Sequence, residues 1–242
     1  MIDPALAAAF DRVAARQRDV AHAFEPGFEP ELADIAGRAG VQRDPSPLSV
    51  AAPEGTYFAA ASGAGGGGIT FSRAGGFALD GGELRFAGDE RPVLGFGFDR
   101  RTTLVPLRVD PVDAALGRVS DARIDPDGTF AYTRTSVDPR TGERRAERVA
   151  VGRLALARFP AGTQPERVDA THVRAPHGVA PHVGAPGDGS FGALAVRSRD
   201  LGRVDVFAGL EGLRAAYDGL DAVRAAGKAH AGLDRTAMDL LK

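Results

Sequence analysis

The sequence contains no cysteine, no tryptophan and no asparagine. Without cysteine it can build neither a disulfide framework nor a thiolate metal site, which leaves the redox compartment open. It also lacks an excess of positive charge. Its 30 Lys and Arg stand against 32 Asp and Glu, a formal net charge of −2, so no broad basic field favours nucleic acid or an anionic membrane surface. No run reaches the ~18 consecutive apolar residues of a membrane span. Residues 1–10 lack the basic start, continuous apolar stretch and cleavage site of a secretory signal, so any route out of the cytoplasm is expected to leave no cleaved signal. What remains is a chain of 242 residues, long enough for a sizeable core in one or two domains.

From Asp3 onward, Leu6, Phe10, Val13, Gln17, Val20 and Phe24 recur at spacings of four and three, the repeat of a helix that packs on another helix. Asp3-Pro4 reads as a cap and first-turn pair, and Pro26-Gly27 as a stop. Residues 28–53 carry repeated prolines and read as a mostly irregular connector. Gly65 to Gly68 make a loop tip.

The period then changes to two. Phe77 to Asp80, Gly81-Gly82 and Glu83 to Phe86 form a strand, a two-residue turn and a strand, with Leu79 opposite Leu84 and Phe77 opposite Phe86. Further strands are expected at Val93 to Phe98, Leu104 to Val109, Thr129 to Thr135 and Arg148 to Phe159. In the last of these the apolar phase slips across Gly152, which predicts a bulge. A short strand is expected near Ala193 to Val196. From about Asp205, Leu210, Leu213, Tyr217, Leu220, Val223 and Leu233 return to helical spacing. The order is helix, β-rich middle, helix.

Few residues carry chemistry. His172, His177 and His182 stand five apart, which places them on one face of neither helix nor strand, and no acidic residue lies between them; they are expected to be solvated loop histidines. Ser190 lacks a nucleophile elbow, and Gly63 to Gly68 lacks the Gly-Lys-Ser/Thr ending of a phosphate loop. Asp125, Asp127 and Gly128 begin like a calcium loop but break its ligand pattern at Thr129, and read as a plain turn.

The most specific words in the sequence are Phe71-Ser72-Arg73-Ala74-Gly75-Gly76-Phe77-Ala78-Leu79-Asp80, Gly82-Glu83-Leu84, and Gly88 with Arg91-Pro92-Val93-Leu94-Gly95-Phe96. Together they resemble the signature hairpin of the flagellar basal-body rod and hook family. Val151 to Phe159 is similar to that family's second β stretch, and Leu201 to Asp205 with Arg214 to Asp218 to its C-terminal segment. A chain without asparagine carries neither the family's Asn-rich N-terminal segment nor its Ser-Asn-Val-Asp motif, so the resemblance is densest in the β region.

The expected fold is mainly β: a central domain at 54–200, a connector at 28–53, and helices at 1–27 and 201–242 that pair in a terminal packing domain. The resemblance implies a non-catalytic rod subunit without metal or cofactor, exported by the flagellar apparatus to the basal body. Its implied partners are copies of itself and other rod and hook subunits, without nucleic acid or membrane insertion. Leu6, Phe10, Val13, Val20, Leu213, Tyr217, Leu220 and Leu233 would carry helix packing, and Arg73, Gly75, Phe77, Asp80, Leu84, Pro92, Leu94 and Gly95 the family hairpin. The alternative is a β-rich binding module that does not polymerise and whose helices close on themselves. A metal-dependent enzyme using the three histidines is a distant third.

Overall fold

The period-two stretches form antiparallel sheet and the two helical stretches form helices that pack on each other, so the fold is mainly β. The computed structural model describes residues 4–25, 27–28, 30, 40–62, 68–98, 100–137, 140–202 and 205–240, without the side chains of 100–102 and 231–240. The chain divides into two compact units. One comprises the described residues of Met1–Glu25, Glu29–Arg38 and Gly202–Lys242; the other comprises those of Pro26–Phe28 and Ala39–Leu201.

In the first unit, helix α1 spans Pro4–Ala21. The second unit opens with strands β1 (Val41–Arg43), β2 (Val50–Ala51), β3 (Tyr57–Ala61) and β4 (Ile69–Ser72). The hairpin β5 (Phe77–Asp80) and β6 (Glu83–Phe86) follows, then β7 (Leu94–Gly97) and β8 (Arg100–Pro106). A short helix α2 (Pro111–Ala115) precedes β9 (Val119–Ile124), β10 (Thr129–Val137), β11 (Arg144–Leu154) and β12 (Leu156–Arg158). The remaining strands are β13 (Glu166–Arg167), β14 (His172–Arg174), β15 (His182–Gly184), β16 (Ala195–Val196) and β17 (Ser198–Asp200). Helix α3 (Val206–Leu240) returns to the first unit.

Two sheets organise the β unit, a five-stranded one in the order β8-β7-β11-β10-β9 and a six-stranded one in the order β13-β14-β4-β3-β12-β15. The expected strand from Arg148 to Phe159 serves both: β11 lies in the first sheet, β12 in the second, and the crossing falls at the fully buried Ala155. Strands that change sheet in this way need a bend. The bulge predicted at Gly152 supplies local irregularity just before it, because Phe130 pairs with Gly152 while Ala131 pairs with Ala150.

The hairpin follows its predicted register, Phe77 opposite Phe86 and Leu79 opposite Leu84. Its turn glycines Gly81 and Gly82 sit at φ +55° and +82°, the left-handed pair that a tight hairpin of this hand requires. Phe77 and Phe86 meet edge to face at 5.1 Å between ring centroids, and Phe58 joins Phe77 at 5.2 Å. With Val50, Leu84, Val93, Leu107, Phe130 and Leu154 they form the main core. A second cluster gathers Ala59, Phe71, Leu94, Ala155 and Ala157.

The stretch read as a connector differs from its expectation. Within its described part, Val41–Arg43 pairs with Ser198–Asp200, and Val50–Ala51 pairs with Ala195–Val196, so these residues belong to the β unit. Prolines at 45, 47 and 53 keep the two strands too short for any periodicity to show. The glycine-run positions 63–67, and 31–39 of the connector, lie outside the described residues.

Gly75 lets β2 close on the segment that follows β4. A Cβ there would stand 1.6 Å from the Val50 carbonyl oxygen, while the Val50 N–H donates to the Gly75 carbonyl at 2.8 Å. Gly75→Ala should therefore destabilise the β unit by about 3 kcal/mol or more, the upper range for forced overpacking. Urea unfolding followed by circular dichroism measures it, and a midpoint equal to the parent's would show that the backbone can part here at no cost.

Candidate functional site

Helix α1 buries its apolar stripe against α3. Asp205 caps the start of α3, its carboxylate accepting from the Ala208 N–H at 3.1 Å. The seam between the helices buries Val13, Ala216 and Leu220, with Leu6, Ala9 and Leu213 packed at its margins. Gln17 donates to the Tyr217 hydroxyl, and the Arg224 guanidinium lies 5.2 Å from the centroid of the Phe10 ring. Those two contacts run in opposite sequence directions along the helices, so the pair is antiparallel.

The predicted packing residues do not all reach the seam. Val13 and Leu220 do, Leu6, Leu213 and Val20 are half-buried, and Phe10 and Tyr217 remain 45% and 42% exposed on its rim. A repeat of seven marks a stripe wider than the contact line of two helices, and the small Ala216 is buried in it where the neighbouring Tyr217 is not. The side chain of Leu233 lies outside the described residues. Leu210, 49% exposed, continues the rim beside Tyr217, and Phe207, 83% exposed, stands a further step round on the outer face of α3. On the other flank runs a groove of about 690 Å³ lined largely by small residues, among them Ala5, Ala8, Gly212, Ala215 and Gly219.

The hairpin residues have a different role. Arg73 is 2% exposed, and its Nε donates to Asp200 Oδ2 at 2.7 Å while Nη2 reaches the same oxygen at 2.5 Å. Its Nη1 donates to the Thr56 carbonyl at 2.8 Å, and the Tyr57 ring lies 5.9 Å from the guanidinium carbon. Phe77 and Leu84 are core, Leu94 belongs to the second cluster, and Pro92 accepts through its carbonyl from the Ala61 N–H at 2.9 Å. A Cβ on Gly95 would stand 2.3 Å from the Arg153 carbonyl oxygen. Asp80 is exposed at the turn, 3.5 Å from Arg85. The family-like words thus build the β unit from inside.

Three histidines expected in solvated loops have three environments. His177 is exposed in a turn, His182 lies on β15 stacked against Phe191 at 5.3 Å, and His172 is buried on β14. His172 Nδ1 faces Asp169 Oδ1 at 3.2 Å and Asp89 Oδ2 at 3.5 Å, and Arg91 spans both carboxylates at 2.6 and 3.2 Å. Burial works to raise the Asp169 carboxyl, but the Thr171 N–H, Arg91 and His172 outweigh it and hold it at about 2. A second buried polar pair joins Tyr132 to Asp113 at 2.7 Å. Burial, and then Asp113, push that phenol up to about 12. Among the described residues no group of three or more histidine and acidic side chains is arranged to hold a metal ion, and no helix is long and apolar enough to cross a membrane.

Sequence reasoning missed Asp200, Asp169, Asp89 and Asp113 as partners, because each meets its cation, ring or hydroxyl through tertiary contact. Phe207 was missed as well, although it stands just inside the cap at Asp205 and in phase with Leu210. No protein-family model matches this chain, and no curated protein matches it significantly.

A buried ion pair that loses one member strands the other, which costs about 3–5 kcal/mol, whereas replacing both by apolar residues costs far less. Arg73→Met and Asp200→Leu should each destabilise the β unit by about that amount, and the double variant by clearly less than their sum. Denaturant unfolding of the four proteins decides it; additive single effects would mean that the two side chains do not depend on one another.

Proposed function

We propose that this chain is a structural subunit of a bacterial flagellar rod, assembling with copies of itself and with related rod and hook subunits through its paired terminal helices. The observation that carries the proposal is the composition of that pair. Among the described residues Val13, Ala216 and Leu220 are the apolar side chains buried in its seam, while Phe10, Leu210 and Tyr217 are left on the rim and Phe207 on the outer face of α3. Exposed aromatic and leucine side chains favour a protein surface that removes them from water, at ~25 cal/mol per Å². At about 1.5 Å per residue α3 is also nearly twice as long as α1, 35 residues against 18, so α1 lines only part of it. The resemblance of the Arg73 to Gly95 hairpin to the rod and hook family names the kind of assembly, and with it export without a cleaved signal and a place in the cell envelope.

The second reading is a monomeric β-rich module, and the pairing of α1 with α3 inside one chain favours it. Phe207 separates the two. In a rod subunit it is an interface residue; in a closed module it is ornamental.

Sedimentation of the full-length chain across a concentration series tests the proposal. The parent should form large assemblies, and Phe207→Asp should raise the concentration needed by roughly tenfold or more at unchanged helix content. Val13→Asp, which breaks the seam, should abolish assembly while the β unit stays folded. A parent that is monomeric throughout, or a Phe207→Asp variant that assembles like it, would overturn the proposal.

A further inference from the structure

His172 occupies an unusual position for a titratable group. It is 2% exposed on β14, next to the outermost strand of the six-stranded sheet, with its ring edge to face against Phe86 at 5.2 Å. Its Nε2 is buried and has no hydrogen-bond partner among the described residues. Among the described residues the acceptors in reach lie on the Nδ1 side: Asp169 Oδ1 at 3.2 Å, Asp89 Oδ2 at 3.5 Å and Thr171 Oγ1 at 3.1 Å. This geometry selects the neutral tautomer with its proton on Nδ1, donating toward the carboxylates. A second proton would sit on Nε2, which has no acceptor among the described residues.

Each element packed around the ring contributes to this balance. The turn before β14 supplies Asp169, whose Oδ1 also accepts from the Thr171 and His172 N–H groups, both at 2.9 Å. The loop after β6 supplies Asp89 and Arg91, β6 supplies Phe86, and β4 supplies Ser72, whose hydroxyl donates to the Thr171 carbonyl at 2.7 Å. Asp169 and Asp89 favour the imidazolium; burial and Arg91 oppose it. Burial wins, and the imidazole is held below its ordinary 6.5.

We propose that His172 is an acid-sensitive latch: it holds β13 and β14 on the six-stranded sheet while neutral, and releases them when acidification protonates it in the opened edge. The opened state gains a proton that the closed state refuses. A histidine whose pKa is depressed by folding stabilises the closed edge fully above the ordinary imidazole value. That contribution is lost as the pH falls toward the folded value, the open population rising by at most about tenfold per pH unit in between. Asp169, held at about 2, stays charged throughout that window, so the first step belongs to His172 alone. Only two strands are stripped. Val173 pairs with Phe71 and His172 with Ser72, so opening bares the edge of β4 and the ring of Phe71, a surface able to receive another extended strand. This inference does not depend on the assembly proposal.

Amide hydrogen exchange on the full-length chain, corrected for intrinsic pH dependence and read from about pH 7 to about pH 5, tests it. Amides of β13 and β14 should show opening that rises as the pH falls below the ordinary imidazole value, with a slope of at most about tenfold per pH unit, while β10 and β11 stay protected. In His172→Gln that slope should vanish. Imidazole proton shifts of the parent, which need no variant, should place the His172 titration below the ordinary value. A slope unchanged in His172→Gln, an edge that opens only together with β10 and β11, or a His172 titration at or above the ordinary value would each overturn the latch.

Discussion

A buried guanidinium and a buried carboxylate, 127 residues apart in sequence, meet inside the β unit at Arg73 and Asp200. Neither can be taken from water without the other, so their pairing constrains everything nearby. Asp200 lies on β17 and carries β1 with it through the Val41 pairing; Arg73 follows β4 and also donates to Thr56 just ahead of β3. Once the guanidinium is placed, Gly75 is pressed against the backbone of Val50 and Phe77 is delivered to Phe58 and Phe86. Arg73, Gly75 and Phe77 alternate along the chain because one ties, one yields and one fills.

The β unit has two apolar clusters of its own, whereas among the described residues the α1–α3 seam is a single small cluster centred on Val13, Ala216 and Leu220. Stability is therefore unevenly distributed. Helices held by so small a core open at low cost, and elements with low local stability are the ones available for coupled ordering with a partner. That contrast, more than any catalytic feature, underlies the proposal of a subunit that completes its packing on assembly.

Much of the fold was legible where a local rule sets the answer. The Gly81-Gly82 turn fixes the hairpin register, a phase slip discloses the bulge beside Gly152, and Asp205 marks the start of α3. Other parts left no local trace. β3 is mostly alanine and shows no alternation, α2 has five residues, and β13, β14 and β15 have two or three each inside a Pro- and Gly-rich stretch. His172 read as a loop residue because its burial comes from Phe86, Asp89 and β4, all distant in sequence. The helix repeat marked the right faces but not the seam, where Ala216 is buried and Phe10 and Tyr217 stay on the rim.

The central claim is that the β unit is complete in a single chain while the α1–α3 pair is completed by neighbours. Hydrogen exchange on the full-length chain, compared between dilute and concentrated solution, tests it most directly. The account predicts sheet amides protected at every concentration, and helix amides that exchange rapidly when dilute and gain protection as assemblies form. Helices as protected as the sheets in the dilute monomer would contradict it.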